Sequence, residues 1–289
     1  MFSRIKTLRE AFQHFCLLIQ KNYEEREARS IAQIVFKEIL GYSTIDLILK
    51  ENDLLPASMF EQLDYVAYQL NEHKPIQYII GRTEFCGLQF DLNEHVLIPR
   101  PETEELVDWI VQEEQLKNRA VKILDIGTGS GCIPITLKYF SAASEVYTMD
   151  VSKDALAVAF KNANKNRVEL NLIHQNILTT NSIDSDFDLV VSNPPYVLES
   201  EKTAMRKNVL DYEPSLALFV KDSDPLVFYK KIIQLIESSS KKSTVLYFEI
   251  NEQYALELSQ CFNPSKWAEL ECRKDLHGKD RMFRAKFLP

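Results

Sequence analysis

A chain of 289 residues has room for two modest domains, or one large one, each with a real core. Its 45% apolar and 26% charged residues match an ordinary soluble globular protein. The net charge of -8 argues against a broad nucleic-acid-binding face, which usually carries a basic excess.

The chain opens Met1-Phe2-Ser3-Arg4-Ile5-Lys6, with charges where a signal peptide would be apolar. The longest apolar runs, such as Leu216 to Val220, are too short to span a bilayer. Cys16, Cys86, Cys132, Cys261 and Cys272 form no C-x-x-C pair, which argues against a zinc ribbon, and their odd count suits reduced thiols. These features predict a cytoplasmic chain with no membrane span and no metal site.

The first ~75 residues read as helices. Phe2, Ile5, Leu8, Phe12, Phe15 and Ile19 recur at helical spacing. Ala28, Ile31, Ile34, Val35 and Ile39 form a second stripe, stopped by Gly41. Ser43 with Asp46 has the pattern of a capping box opening a third helix, and Ala57 to Asn71 predicts a fourth. All these stripes read as core packing. Past Pro75 the period changes. Thr83 to Ile98 suggests a hairpin around Asp91-Leu92-Asn93-Glu94, serving as a linker that Pro99-Arg100-Pro101 ends. Glu102 to Gln115 looks helical. The predicted domains are therefore 1–75, a linker 76–100, and 101–289.

From Val121 the chain alternates strand and helix. The strand candidates are Val121–Ile126, Glu145–Asp150, Glu169–His174, Phe187–Ser192, Ser243–Ile250, Trp267–Arg273 and Arg281–Phe287. Alternation of this kind predicts an α/β fold with a doubly wound parallel sheet. The last two candidates flank a turn at Leu276-His277-Gly278-Lys279-Asp280, so the sheet should end with an antiparallel strand.

The first motif is Asp125-Ile126-Gly127-Thr128-Gly129-Ser130-Gly131-Cys132, between a strand and a helix. Three alternate glycines let the backbone turn tightly and approach a ligand. Asp150 ends the next strand, where a carboxylate can accept hydrogen bonds from both ribose hydroxyls of a nucleoside. A dinucleotide fingerprint would need glycine where Cys132 stands. Asp125, before the loop, could instead bind an ammonium group. A cationic amino acid attached to adenosine fits better than a pyrophosphate.

The second motif, Asn193-Pro194-Pro195-Tyr196, ends the strand Phe187–Ser192. Two prolines remove two N–H donors and stiffen the backbone, leaving carbonyl acceptors, to which Asn193 adds a side-chain carbonyl. A group of acceptors suits a planar –NH2 substrate, with Tyr196 able to stack on it. An adenine amino group in nucleic acid has the same geometry, but it would call for cationic contacts to phosphate and a flipped base. A scaffold that binds cofactor without catalysis is the third reading, and the intact Asn193 motif argues against it.

Together the motifs resemble the HemK/PrmC family, the N5-glutamine methyltransferases of peptide chain release factors. Further segments carry the resemblance: Pro75 to Gly81, Phe85 to Leu88, Leu97 to Glu104, Glu213-Pro214 with Ala217-Leu218, and Gly278 to Arg281. It implies a seven-stranded class I methyltransferase sheet, a small all-α N-terminal domain and a β-hairpin linker; residues 1–75, which carry no chemical motif, are expected to help dock the substrate. The implied cofactor is S-adenosylmethionine, held by Gly127, Thr128, Gly129, Ser130, Gly131 and Asp150, with Asp125 and Asn193 as further candidate contacts. The implied partner is a class I release factor, whose Gly-Gly-Gln glutamine Asn193, Pro194, Pro195 and Tyr196 would hold. A monomer with no direct nucleic-acid contact is the expectation.

Two departures stand out. Asn176 and Ile177 align where the family often has an acidic and a bulky apolar residue near adenine. The fifth strand ends Glu249-Ile250-Asn251, where Glu-Ile-Gly is common. Arg100 and Glu104, four apart near a helix start, either pair with each other or close the pocket; Glu213 is open in the same way. His277 reads as a solvated turn residue.

Overall fold

The computed structural model describes residues 6–183 and 187–289. Met1 to Ile5, including Phe2 and Ile5 of the first stripe, lie outside the described residues.

Five helices open the chain: α1 (Leu8–Ile19), α2 (Glu25–Leu40), α3 (Thr44–Leu49), α4 (Ala57–Asn71) and α5 (Ile76–Ile80). Their ends follow local chemistry. Glu10 N–H donates to Thr7 Oγ1 at 3.3 Å, and Thr7 N–H donates to the Glu10 carboxylate at 3.1 Å. This reciprocal box starts α1 at Leu8. Ser43 and Asp46 form the same box over α3. Gly41 and Gly81 close α2 and α5 with φ of 67° and 77°, a left-handed turn that glycine adopts without strain.

The α2 stripe needs one correction. Ile34 is 43% exposed, and Phe36 fills the core instead, edge-on to Phe12 and Phe15 at 5.3 and 5.9 Å. At about 100° per residue, Ile34 falls well outside the arc shared by Ala28, Ile31, Ala32 and Val35.

A hairpin follows, β1 (Arg82–Phe85) with β2 (Leu88–Asp91), turned by Cys86 and Gly87 with φ of 49° and 77°. It is shorter than the Thr83–Ile98 stretch expected to hold it, and it is not centred on Asp91–Glu94, since Asp91 ends β2. Then come α6 (Pro101–Glu113), β3 (Lys122–Ile126), α7 (Cys132–Phe140), β4 (Glu145–Asp150), α8 (Lys153–Lys165), β5 (Asn171–His174) and β6 (Leu189–Ser192). The chain continues through β7 (Val197–Leu198), α9 (Lys207–Leu210), α10 (Ser215–Leu218), β8 (Phe219–Val220), α11 (Val227–Ser239) and β9 (Thr244–Glu249). It ends with α12 (Ala255–Ser259), β10 (Trp267–Lys274) and β11 (Asp280–Phe287).

Two compact units result: Met1–Gly81 with Arg206–Tyr212, and Arg82–Met205 with Glu213–Pro289. The division falls at Gly81 rather than after residue 75, because Pro75 opens α5 and Gly81 ends it. The hairpin belongs to the second unit and is not a separate linker. Asn162 of α8 brackets β2, accepting from Asp91 N–H at 2.7 Å and donating to the Asp91 carbonyl at 3.0 Å. Arg206–Tyr212 returns to the first unit, where the Tyr212 hydroxyl donates to the Glu72 carbonyl at 2.8 Å.

The second unit holds a seven-stranded sheet of order β10-β11-β9-β6-β3-β4-β5. Strands β9, β6, β3, β4 and β5 run parallel, and β11 is antiparallel to both β9 and β10. The antiparallel strand is thus inserted beside β9 and leaves β10 at the edge, since the hairpin turn folds β11 back inside. Side chains alternate between two apolar layers. Val190, Leu246 and Phe248 face one core, and Leu189, Val191 and Tyr247 face the other. Among the described residues no helix is long and apolar enough to cross a membrane.

Candidate active site

The chain runs β3→β4→β5 to one side of β3, then returns to place β6 on its other side. Ligands in such sheets bind outside the carboxyl ends of the strands at this reversal. Ile126 and Ser192 are register partners, so the glycine loop and Asn193 leave adjacent strands at one level. A Cβ built on Gly127 would lie 3.6 Å from the Asn193 carbonyl oxygen. The two motifs therefore abut.

Gly127, Gly129 and Gly131 all have left-handed φ, of 85°, 52° and 82°. Gly131 has a packing reason as well. A Cβ there would meet Ile135 Cδ1 at 2.9 Å and Ala159 Cβ at 3.1 Å, so glycine lets α7 approach α8. The loop is pinned from both ends. Gly127 N–H donates to the Met149 carbonyl at 2.8 Å, and buried Asn162 donates to the Ser130 carbonyl at 2.9 Å. Asp150 accepts from Gly129 N–H at 3.0 Å and from Ser152 N–H at 2.8 Å. Both carboxylate oxygens are thus oriented, with lone pairs left for a ligand.

Gly127, Gly129, Ser130 and Asp150 line a cleft of about 320 Å³. Of the predicted site, Gly127, Thr128, Gly129, Ser130, Asp150, Asn176, Ile177, Asn193, Pro194 and Pro195 line it; Asp125, Gly131 and Tyr196 do not. Its size is in the range of small-molecule sites. A Cβ at Gly129 would point into open space, so the loop presents bare backbone to the cleft. That wall, with Asp150 beside it, fits a nucleoside cofactor.

Asp125 is not placed to hold an ammonium group directly. It is fully buried, and its Oδ2 accepts from Thr148 Oγ1 at 2.7 Å while Oδ1 has no protein partner. Burial pushes its carboxyl up to about 7. Thr148 in turn bonds the hydroxyl of Thr128, a cleft residue, so Asp125 supports the loop from beneath. Asn176 accepts from Leu178 N–H at 2.9 Å and caps the turn that presents Ile177.

Tyr196 turns away from the cleft, so stacking on a flat substrate is not what its placement supports. Its ring packs on the core, and its hydroxyl donates to Glu249 Oε1 at 2.9 Å. The other oxygen, Oε2, accepts from Thr103 Oγ1 at 2.6 Å, and Thr103 accepts from Asn193 Nδ2 at 3.3 Å. Glu249 is 1% exposed, and burial raises its carboxyl above the ordinary value. Thr103 and Glu249 escaped sequence reasoning as site residues, although both stand in segments that carry the resemblance or its departures.

Arg100 and Glu104 do not pair. Arg100 Nη2 lies 2.5 Å from Glu213 Oε1, and Ile98 N–H donates to Glu213 Oε2 at 3.2 Å. Glu104 accepts from Cys86 N–H at 2.6 Å. The buried Glu213 ties the Leu97–Arg100 rim of the cleft to the Pro214–Ala217 rim.

Residues 107–212 match the family model of the methyltransferase small domain, and residues 10–81 match that of the PrmC N-terminal domain. A release factor glutamine methyltransferase of Flavobacterium psychrophilum is 45% identical over 92% of this chain and 94% of its own. One from Bacteroides thetaiotaomicron is 40% identical over 92% and 95%. Among solved structures, the T. thermophilus 16S rRNA N2 G1207 methyltransferase aligns with a TM-score of 0.50 at 13% identity, over 72% of this chain and 50% of that one. That likeness concerns the fold alone. With identity this high across nearly the whole length of both proteins, the chain belongs to the release factor glutamine methyltransferase family.

Proposed function

We propose that this chain uses S-adenosylmethionine to methylate the side-chain amide nitrogen, N5, of the glutamine in the Gly-Gly-Gln loop of class I peptide chain release factors. The observation that carries this reading is the abutment of Asn193-Pro194-Pro195 against the glycine loop, on adjacent strand ends and in one cleft. S-adenosylmethionine supplies, when bound, a methyl group on a positively charged sulfur. Gly127 and Gly129 would offer it bare backbone, Asp150 would accept from its ribose hydroxyls, and Asn176 and Ile177 would stand nearest its adenine. Asn193 contributes a side-chain carbonyl. Pro194 and Pro195, having no N–H, add carbonyl acceptors and no backbone donor beside it. Acceptors that take both hydrogens of a planar –NH2 aim the nitrogen lone pair at the methyl carbon. An amide nitrogen is a weak nucleophile, and orientation of this kind can offset ~7–11 kcal/mol of barrier.

The helical unit is assigned to docking the release factor. Its α3 has no buried residue, and Ile45, Ile48 and Leu49 are exposed. The net charge of -8 supports a protein substrate over a nucleic acid. The setting we assign is the cytoplasm, with the chain acting as a monomer. Mass spectrometry tests the reading after incubation with labelled cofactor and a release factor carrying either glutamine or alanine in its loop. Label enters the glutamine form alone. Label in the alanine form, or in adenine only, contradicts it.

A further inference from the structure

Asn193 presents two unlike faces, a carbonyl and an –NH2, and only the carbonyl can accept an N–H from a substrate amide. Which face is left for a substrate is decided by what bonds the other. Glu249 closes β9 and accepts from two hydroxyls, Thr103 on Oε2 at 2.6 Å and Tyr196 on Oε1 at 2.9 Å. Glu249 accepts the single hydrogen of Thr103 on Oε2, the oxygen that Tyr196 leaves free. Thr103 Oγ1 is left with lone pairs alone and takes a hydrogen from Asn193 Nδ2 at 3.3 Å. The order of donors is fixed in one direction, from Asn193 to Thr103 to Glu249. Tyr229 anchors the end of the strand, its hydroxyl donating to the Glu249 carbonyl at 2.9 Å. All three relay side chains are buried or half-buried.

We propose that Thr103 and Glu249 are positioning residues that hold the Asn193 amide with its carbonyl toward the acceptor nitrogen. This rests on the methyl-transfer reading for its consequence, but the relay itself does not depend on the substrate. Neither residue lies in the two sequence motifs. Thr103 comes from the first turn of α6 and Glu249 from the end of β9, so the fold assembles the device from three distant segments.

Two readouts separate the relay from the reaction. In protein with isotope-labelled asparagine, the Asn193 side-chain –NH2 exchanges with solvent more slowly in wild type than in Thr103→Val. Equal exchange rates overturn the inference whatever the enzyme methylates. With release factor as substrate, Thr103→Val lowers kcat by about tenfold or more, while KM and cofactor affinity stay within about threefold. Thr103→Ser, which keeps the hydroxyl, restores kcat to within about threefold of wild type. Glu249→Gln leaves one acceptor oxygen for two hydroxyls and lowers kcat in the same way. A serine variant no better than valine reduces Thr103 to packing and overturns the proposal. So does wild-type kcat in folded Thr103→Val or Glu249→Gln.

Discussion

The helical unit and the sheet unit differ in what they bury. Among the described residues, the core of Met1–Gly81 with Arg206–Tyr212 is made of apolar side chains such as Phe15, Val35, Phe36 and Leu63. Among the described residues, the buried polar and charged side chains lie in the sheet unit, including Thr103, Asp125, Thr148, Asn162, Glu213 and Glu249. Burying such groups is unfavourable unless they are hydrogen-bonded, and a fold built for stability alone avoids them. Most of those named act directly behind the cleft: under the glycine loop, behind Asn193, or between its rims. The helical unit is organised by packing, and the sheet unit by packing plus a chemical task.

That contrast can be broken by mutation, beginning with the largest effect. Phe36→Ala opens a void in the helical core and should destabilise that unit by ~3–5 kcal/mol, while cofactor affinity of the folded protein is retained. Thermal unfolding and calorimetry check the two halves of this expectation. A matching loss of cofactor affinity would mean that the units are not energetically separate. Asp150→Ala removes the carboxylate of the cleft, and each hydrogen bond to a charged group is worth ~1.5–3 kcal/mol. Calorimetry should show S-adenosylmethionine binding at least ~10-fold weaker with the fold intact. Unchanged affinity would move the nucleoside site elsewhere.

Smaller effects sharpen the contrast. Ile48 is 69% exposed on α3, so Ile48→Glu costs the fold little. It should raise KM for the release factor by about threefold to tenfold, with cofactor affinity unchanged. An unaltered KM would take α3 out of the docking surface. The smallest effect is one of pH. Asp125 is raised from 3.8 to about 7, so the folded protein keeps a proton that the unfolded chain has already released. Its contribution to stability is complete at low pH and falls as pH rises through this window. Denaturant titrations of Asp125→Asn between about pH 4 and 7 should show a shallower decline than wild type. Identical slopes would mean that Asp125 titrates normally.

Local patterns in the sequence make much of the molecule legible. The strand Glu145–Asp150 and the helix Ala57–Asn71 have the bounds that periodicity and turn residues suggest. The two motifs meet in one cleft because each ends a strand, and strand order places those ends together. What is not legible depends on partners distant in the chain. Arg100 sits four residues from Glu104 yet binds Glu213, since the approach of the Pro214–Ala217 rim decides the pairing. Thr103 meets Glu249 across 146 positions of chain, and Asn162 meets Asp91 across 71 and Ser130 across 32. Tyr196 sits in a motif that suggests stacking, but Glu249 draws its hydroxyl inward. Periodicity reports which face of an element is buried, not which polar group will meet another there.

On this reading Asn193 orients the acceptor nitrogen, so its loss should slow transfer more than it weakens cofactor binding. Single-turnover kinetics of Asn193→Ala on a release factor, paired with calorimetry of cofactor binding, test it most directly. The rate should fall by at least ~10- to 100-fold, with cofactor affinity changed far less. A near-wild-type rate, or a loss of affinity that matches the loss of rate, would contradict it.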